Sequence, residues 1–184
     1  MNLTLIRHGK TEGNLKNLYY GSTNLPLTDI GIAALRSDPP VVAEAKHYYT
    51  SGMLRTEQTF AILFGDRPHE VLSDLREIDF GHFEMRSYEQ LKDDPEFQDW
   101  CAQNSEAAIC PGGESGNLST GRALRAIAPV LARDEDAVCV IHGGIIGGML
   151  AHWFGGIRFD YPCDPGHGYV VSVKGGIPQS YHKI

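Results

Sequence analysis

Leu3-Thr4-Leu5-Ile6-Arg7-His8-Gly9 and Ala137-Val138-Cys139-Val140-Ile141-His142-Gly143-Gly144 repeat one pattern at the two ends of the chain. In each, a short β-prone apolar run stops at a histidine with glycine directly after it. Apolar runs of this length, with no polar alternation, fit strands covered on both faces. Ligands of open α/β sheets bind beyond the carboxyl ends of the strands, so the two histidines are expected at one rim. The adjoining glycines let backbone approach a ligand closely. A helix after each strand supplies N–H groups suited to an anion.

Working outward, strands and helices alternate. Thr11–Leu15 begins a helix. Thr28 is a candidate N-cap for a helix over Asp29–Arg36, which Asp38-Pro39-Pro40 breaks. Lys46–Thr50 reads as a second strand. Met53–Phe64 reads as a helix with Leu54, Phe60, Ala61 and Phe64 on its apolar face. Glu70–Leu72 reads as a short strand and Leu75–Met85 as irregular chain. Short helices are predicted over Ser87–Lys92 and Pro95–Gln103, a turn at Pro111–Gly113, and a long helix over Glu114–Arg133 with Pro129 inside it. After the Ala137–Ile141 strand a helix runs to about Phe154, and Gly168–Val173 is the last strand. The pattern predicts an α/β fold, a three-layer αβα arrangement with a mostly parallel central sheet and helices on both faces. With 184 residues and no linker or repeat, one domain over residues 1–184 is expected.

Charge narrows the partners. Sixteen Lys and Arg against 23 Asp and Glu give a net charge of −7. Broad attraction to nucleic acid or to anionic membrane needs clustered cations, so neither is an expected partner. No apolar run approaches the roughly 20 residues of a membrane span, and Met1–Arg7 lacks a signal-peptide pattern. Cys101, Cys110, Cys139 and Cys163 show no paired spacing and read as reduced thiols of a cytoplasmic protein. An anionic substrate must then meet a local cationic pocket. Arg7 precedes the first histidine and Arg55 follows the second strand, and guanidinium groups bind phosphate through paired charge-assisted hydrogen bonds. Glu77 is the candidate proton donor, with Asp79, Glu84 and Glu12 as competitors.

Five ordered stretches carry a resemblance. They are Arg7-His8-Gly9 with Thr11 and Asn14, Leu25-Pro26-Leu27-Thr28 with Gly31, Ser51 with Arg55, Gln58 and Thr59, Leu75 with Glu77 and Gly81, and His142-Gly143-Gly144. Together they resemble the histidine phosphatase superfamily, the phosphoglycerate mutase-like proteins. The Tyr20–Thr28, Glu77–Glu84 and Pro111–Ser115 stretches are most similar to its alpha-ribazole phosphatase branch, which acts in the cobalamin pathway. The resemblance implies a phosphomonoesterase for a small metabolite. His8 would form a phosphohistidine, and Arg7, Arg55 and His142 would bind the phosphoryl oxygens, His142 favouring the anion when protonated. Asn14 would assist, although it equally suits a helix end. Glu77 would protonate the leaving oxygen and then activate water. Gly143, Ser22 and Thr23 are further substrate-binding candidates, with Tyr19, Tyr20 and Arg86 behind them. No metal or cofactor is implied. The rivals are phosphotransfer of the phosphoglycerate mutase type, a metal-dependent hydrolase, and a non-catalytic protein that binds a phosphorylated ligand.

Glu114 reads as a helix N-terminal carboxylate, and His47, His69, His152, His167 and His182 as structural or solvated. The chain departs from its relatives at Phe83, Met85, Ile141, Gly147 and Gly148, which bears on specificity. Monomer and homodimer both remain open.

Overall fold

The computed structural model describes residues 1–103 and 106–184. Six strands form one sheet in the order β4-β3-β6-β1-β7-β8. They are β1 (Asn2–Arg7), β3 (His47–Thr50), β4 (Glu70–Val71), β6 (Ala137–Ile141), β7 (Gly168–Lys174) and β8 (Ile177–Lys183). The pairs β1–β6, β3–β6 and β3–β4 are parallel, and β7 runs antiparallel to both of its neighbours. The sheet is mixed and mostly parallel, as the pattern predicts.

Helices cover both faces because the two central strands are apolar on both. Leu3, Leu5, Ala137, Cys139 and Ile141 pack with α6 (Gly116–Ala132) and α7 (Gly143–Phe154). Ile6, Val138 and Val140 face the other way and pack with Phe60 of α3 (Leu54–Phe64). The side-chain period of two thus feeds both layers from one strand. Thr28 caps α2 (Asp29–Ser37) by accepting from the Gly31 N–H. Three short helices complete the set: α1 (Glu12–Leu15), α4 (Tyr88–Leu91) and α5 (Pro95–Ala102). A satellite core of Phe83, Leu91, Phe97 and Cys110 sits under α4 and α5. Phe83 is therefore a packing residue.

Several expectations need correction. α6 begins at Gly116 with Ser115 as N-cap, so Glu114 lies before the helix; its carboxylate pairs with Arg122. The buried face of α3 carries Arg55, Thr56, Thr59 and Phe60, while Leu54 and Ala61 are exposed. Polar groups take the inner face there because they are hydrogen-bonded at the strand ends, which apolar spacing cannot register. Three strands escaped the sequence reading. β8 is mostly Pro and polar residues and pairs with β7 after a Gly175-Gly176 turn. The small antiparallel pair of β2 (Leu18–Tyr19) and β5 (Arg86–Ser87) is too short to leave a period. All four cysteines are free thiols. Burial raises Cys110 to about 12 and Cys163 to about 11 and pushes Cys139 up as well, while Cys101 lies at the surface. Among the described residues no helix is long and apolar enough to cross a membrane.

Candidate functional site

Strand register brings the two histidines together. Arg7 pairs with Ile141 across β1 and β6, and Thr50 pairs with Val140 across β3 and β6. The residues just beyond those pairs, His8, His142 and Ser51, must then be neighbours. The His8 N–H donates to the Ile141 carbonyl at 2.9 Å, and the His8 and His142 rings meet edge to face with centroids 5.1 Å apart.

Hydrogen bonds fix both tautomers. A carbonyl only accepts, so the 2.7 Å contact between His8 Nδ1 and the Gly9 oxygen puts the proton on Nδ1 and leaves the Nε2 lone pair available. A guanidinium only donates, so Arg55 Nε puts the lone pair of His142 on Nδ1, and His142 Nε2–H donates to Ser51 Oγ at 2.8 Å. Burial, then the Arg55 charge, hold both histidines well below the ordinary histidine pKa. His142 is thus neutral in this arrangement, because a second cation beside Arg55 is disfavoured.

Arg55 is fully buried. Its Nη1 and Nη2 donate to the carbonyls of Thr23 and Gly21 at 2.9 and 2.8 Å, and its guanidinium lies over the Tyr20 ring. Arg7 donates from Nη1 to the Cys163 carbonyl at 2.6 Å, while its buried Nε has no hydrogen-bond partner among the described residues. An unpaired buried guanidinium N–H costs about 1–3 kcal/mol or more. Gly143 lies against that nitrogen: a Cβ there would sit 3.1 Å from it.

Glu77 stands at the first turn of α7. Its Oε2 accepts from the Gly144 N–H at 3.0 Å and its Oε1 from its neighbour Ile78. A Cβ at residue 144 would fall 2.6 Å from that carboxylate, so only glycine allows this approach. The three competing carboxylates are engaged elsewhere. Glu84 accepts from the N–H groups of Gly21, Ser22, Thr23 and Phe80 and from the Thr23 hydroxyl. Burial works against its charge, but these donors outweigh it and keep its pKa below the usual carboxylate range. Asp79 accepts from Gly81 N–H, and Glu12 pairs with Lys16 at the surface.

The remaining candidates divide. Asn14 completes the capping box of α1, whose N-cap is Thr11, its Oδ1 accepting from the Thr11 N–H and hydroxyl, and it lines a cleft shared with Arg7. Ser22 and Thr23 lie in the loop gathered by Glu84. Tyr19 packs among Phe80, Phe97 and Trp100, and Arg86 is tied to Asp94. Of the outlying histidines, His47 pairs with Glu135 and His69 with Glu57.

One residue was missed entirely. Arg122 is buried, pairs with Glu114, and donates to the carbonyls of Asp74, Arg76 and Glu77. It holds the irregular segment that carries Glu77. A mid-helix arginine reads as solvated; the one hint was Glu114 at the end of a Pro-Gly-Gly turn.

Comparison with known proteins now bears on the site. Residues 3–174 match the histidine phosphatase superfamily (branch 1). The chain belongs to that superfamily. It is an enzyme of the phosphatase and mutase type. An adenosylcobalamin/alpha-ribazole phosphatase of Salmonella typhimurium (strain LT2) is 30% identical over 159 residues, covering 82% of this chain and 78% of the relative. The alpha-ribazole phosphatase structure from Shigella flexneri superposes with a TM-score of 0.84 at 26% identity, covering 97% of this chain and 94% of the other. A phosphoglycerate mutase from Thermus thermophilus gives 0.75 at 27% identity, covering 98% of both.

Proposed function

We propose that this superfamily member is a metal-independent phosphomonoesterase working through a phosphohistidine at His8, with alpha-ribazole 5′-phosphate as its substrate. The observation that carries the chemistry is the His8 tautomer: the Gly9 carbonyl holds the proton on Nδ1, so Nε2 is a nucleophile without a prior proton transfer. Arg7, whose Nε is buried and unpaired among the described residues, offers a donor to the phosphoryl oxygens, together with Arg55 and the Gly143 end of α7, and His142 would join them by turning its Nε2–H from Ser51 to the phosphoryl group. Asn14 assists from α1, and Ser22 and Thr23 contribute the wall over Arg55.

In the first step the bond from Nε2 to phosphorus forms and the bond from phosphorus to the leaving oxygen breaks. Glu77 passes a proton to that oxygen. In the second step water attacks phosphorus, Nε2 departs, and the water proton returns to Glu77. The substrate reading rests on likeness to the Salmonella and Shigella proteins. The whole of residues 1–184 serves as one domain in this reading, acting in the cytoplasm on a small metabolite.

Labelling tests the intermediate. Brief incubation with a radiolabelled phosphomonoester and an acid quench should leave label on the wild type and none on His8→Ala. Equal labelling of both would overturn the reading. Glu77→Gln should still label from a good leaving group such as 4-nitrophenyl phosphate and lose about 10²–10⁴-fold with an alkyl phosphate. Phosphate release from alpha-ribazole 5′-phosphate tests the substrate. Conversion of 3-phosphoglycerate to its 2-isomer without phosphate release would point instead to the mutase chemistry of the Thermus relative.

A further inference from the structure

Gly147 and Gly148 have no part in that chemistry, yet both are used. They sit inside α7, where glycine costs about 1 kcal/mol relative to alanine. A Cβ at residue 147 would lie 2.5 Å from the backbone oxygen of Arg158, and one at residue 148 would lie 2.2 Å from the Thr120 hydroxyl. Gly147 forms a notch in α7 in which the segment that follows the helix, through the short turn at Arg158–Asp160, is seated, while Gly148 lets α6 approach at Thr120.

Seating that segment brings two side chains to the Glu77 side of the site. Arg158 and Phe159 line a cleft of about 240 Å³ with Arg7, Gly143 and Glu77. They also line an adjoining cleft of about 210 Å³ with Ile78, Phe80 and Trp100, and Glu77 borders both. One end of this space therefore meets the phosphoryl-binding groups, and the other is walled by three aromatic rings beyond the proton-relay carboxylate. Phe80 and Trp100 are fixed from behind, each packing on Tyr19 with ring centroids 5.5 and 6.2 Å apart. Phe159 is 69% exposed, a large apolar surface with little protein to cover it. The cation at this end is already matched: the Arg158 guanidinium forms a two-point ion pair with Glu106 and also donates to the Gly144 carbonyl.

The geometry points to Phe159, carried by the segment that Gly147 seats and sharing its cleft with Phe80 and Trp100, as the residue that selects an uncharged aromatic leaving group over a small anionic one. The inference rests on the phosphatase reading for the position of the leaving group and deepens it. An aromatic group beyond the phosphoester oxygen buries apolar surface on three rings. A carboxylate there would be desolvated beside a guanidinium that Glu106 already neutralises.

Binding and turnover separate this idea from the reading beneath it. 2-Phenylethylphosphonate and 3-phosphonopropionate carry non-hydrolysable phosphoryl groups on an aromatic and an anionic tail. Calorimetry should find the aromatic ligand bound at least tenfold more tightly by the wild type. That ratio should fall about tenfold in Phe159→Ala and largely return in Phe159→Leu. Gly147→Ala should lower it in the same direction, because its Cβ displaces the seated segment. Glu106→Gln should shift it toward the anionic ligand by freeing the Arg158 charge. With 2-phenylethyl phosphate and 3-phosphoglycerate, the kcat/KM ratio should follow the binding ratio, mostly through KM. A binding ratio unchanged in Phe159→Ala, or a wild type that prefers the anionic ligand, overturns the inference. Loss of phosphoenzyme labelling alone, with the binding ratios as stated, overturns the phosphohistidine reading and leaves the aromatic pocket standing.

Discussion

The two sides of the site are built by different means. On the phosphoryl side, His8, His142 and Ser51 follow directly on residues paired in the parallel ladder, so sheet register alone sets them side by side. On the leaving-group side, Glu77 lies in a segment with only a short 3₁₀ turn before it. That segment is held by buried charge: Arg122 grips three of its carbonyls, and Glu84 gathers four backbone amides across from it. A ladder positions side chains without help from any one residue. Irregular chain needs a named charged group whose partners are all in place.

Breaking the clamp gives the largest expected stability effect. Arg122→Met strips a buried ion pair to one partner and should cost about 3–5 kcal/mol in urea unfolding. The double variant with Glu114→Leu should cost less than Arg122→Met alone, since no half-buried carboxylate then remains without its bidentate partner. A single variant as stable as the wild type would show that the Glu77 segment holds itself.

Acid should expose the weakness of the other side. Both histidines have a folded pKa depressed below the ordinary value near 6.5, so stability is fully present above that pH. As pH falls below it, the unfolded chain takes up protons that the folded chain refuses. Stability should then drop by up to about 2.7 kcal/mol per pH unit, two protons' worth. Unfolding midpoints at pH 7.5 and 5.5 measure this, and His142→Gln should halve the slope. A flat profile above pH 5 would mean that neither ring is held neutral.

Glu84→Gln sharpens the contrast at smaller scale. Five donors converge on this carboxylate, and an amide must turn one N–H toward them. The expected loss is about 2 kcal/mol, one charged hydrogen bond. It should come with a fall in kcat, because the Gly21–Thr23 carbonyls that hold Arg55 belong to the same loop. Unchanged kcat would separate the loop from the guanidinium.

The smallest effect is a gain. Met85 has φ of 61°, a left-handed conformation that favours glycine, and it is 38% exposed. Met85→Gly should stabilise by about 0.5–1 kcal/mol, the relief of about 1–2 offset by the greater freedom of glycine in the unfolded chain. A loss on thermal melting would mean that the Met85 side chain packs more than its exposure implies.

The same contrast explains what the sequence made legible. Strand ends, glycine neighbours and the Thr28 cap are local signals, and they led to both histidines, both arginines and the sheet. The Arg122 clamp joins residues 45 to 48 apart, and Glu84 reaches back more than 60 residues to its loop. No period or spacing registers contacts of that kind. Glu84 read as a rival acid because a carboxylate near Glu77 looks the same whether its lone pairs are free or filled.

The thiols offer something of practical use. Burial leaves Cys110, Cys139 and Cys163 protonated and shielded, while Cys101 stands at the surface one residue from Trp100. A maleimide dye would attach there first and report, by quenching against the indole, on whatever enters the aromatic cleft. The native sequence thus already carries the handle for an optical binding assay.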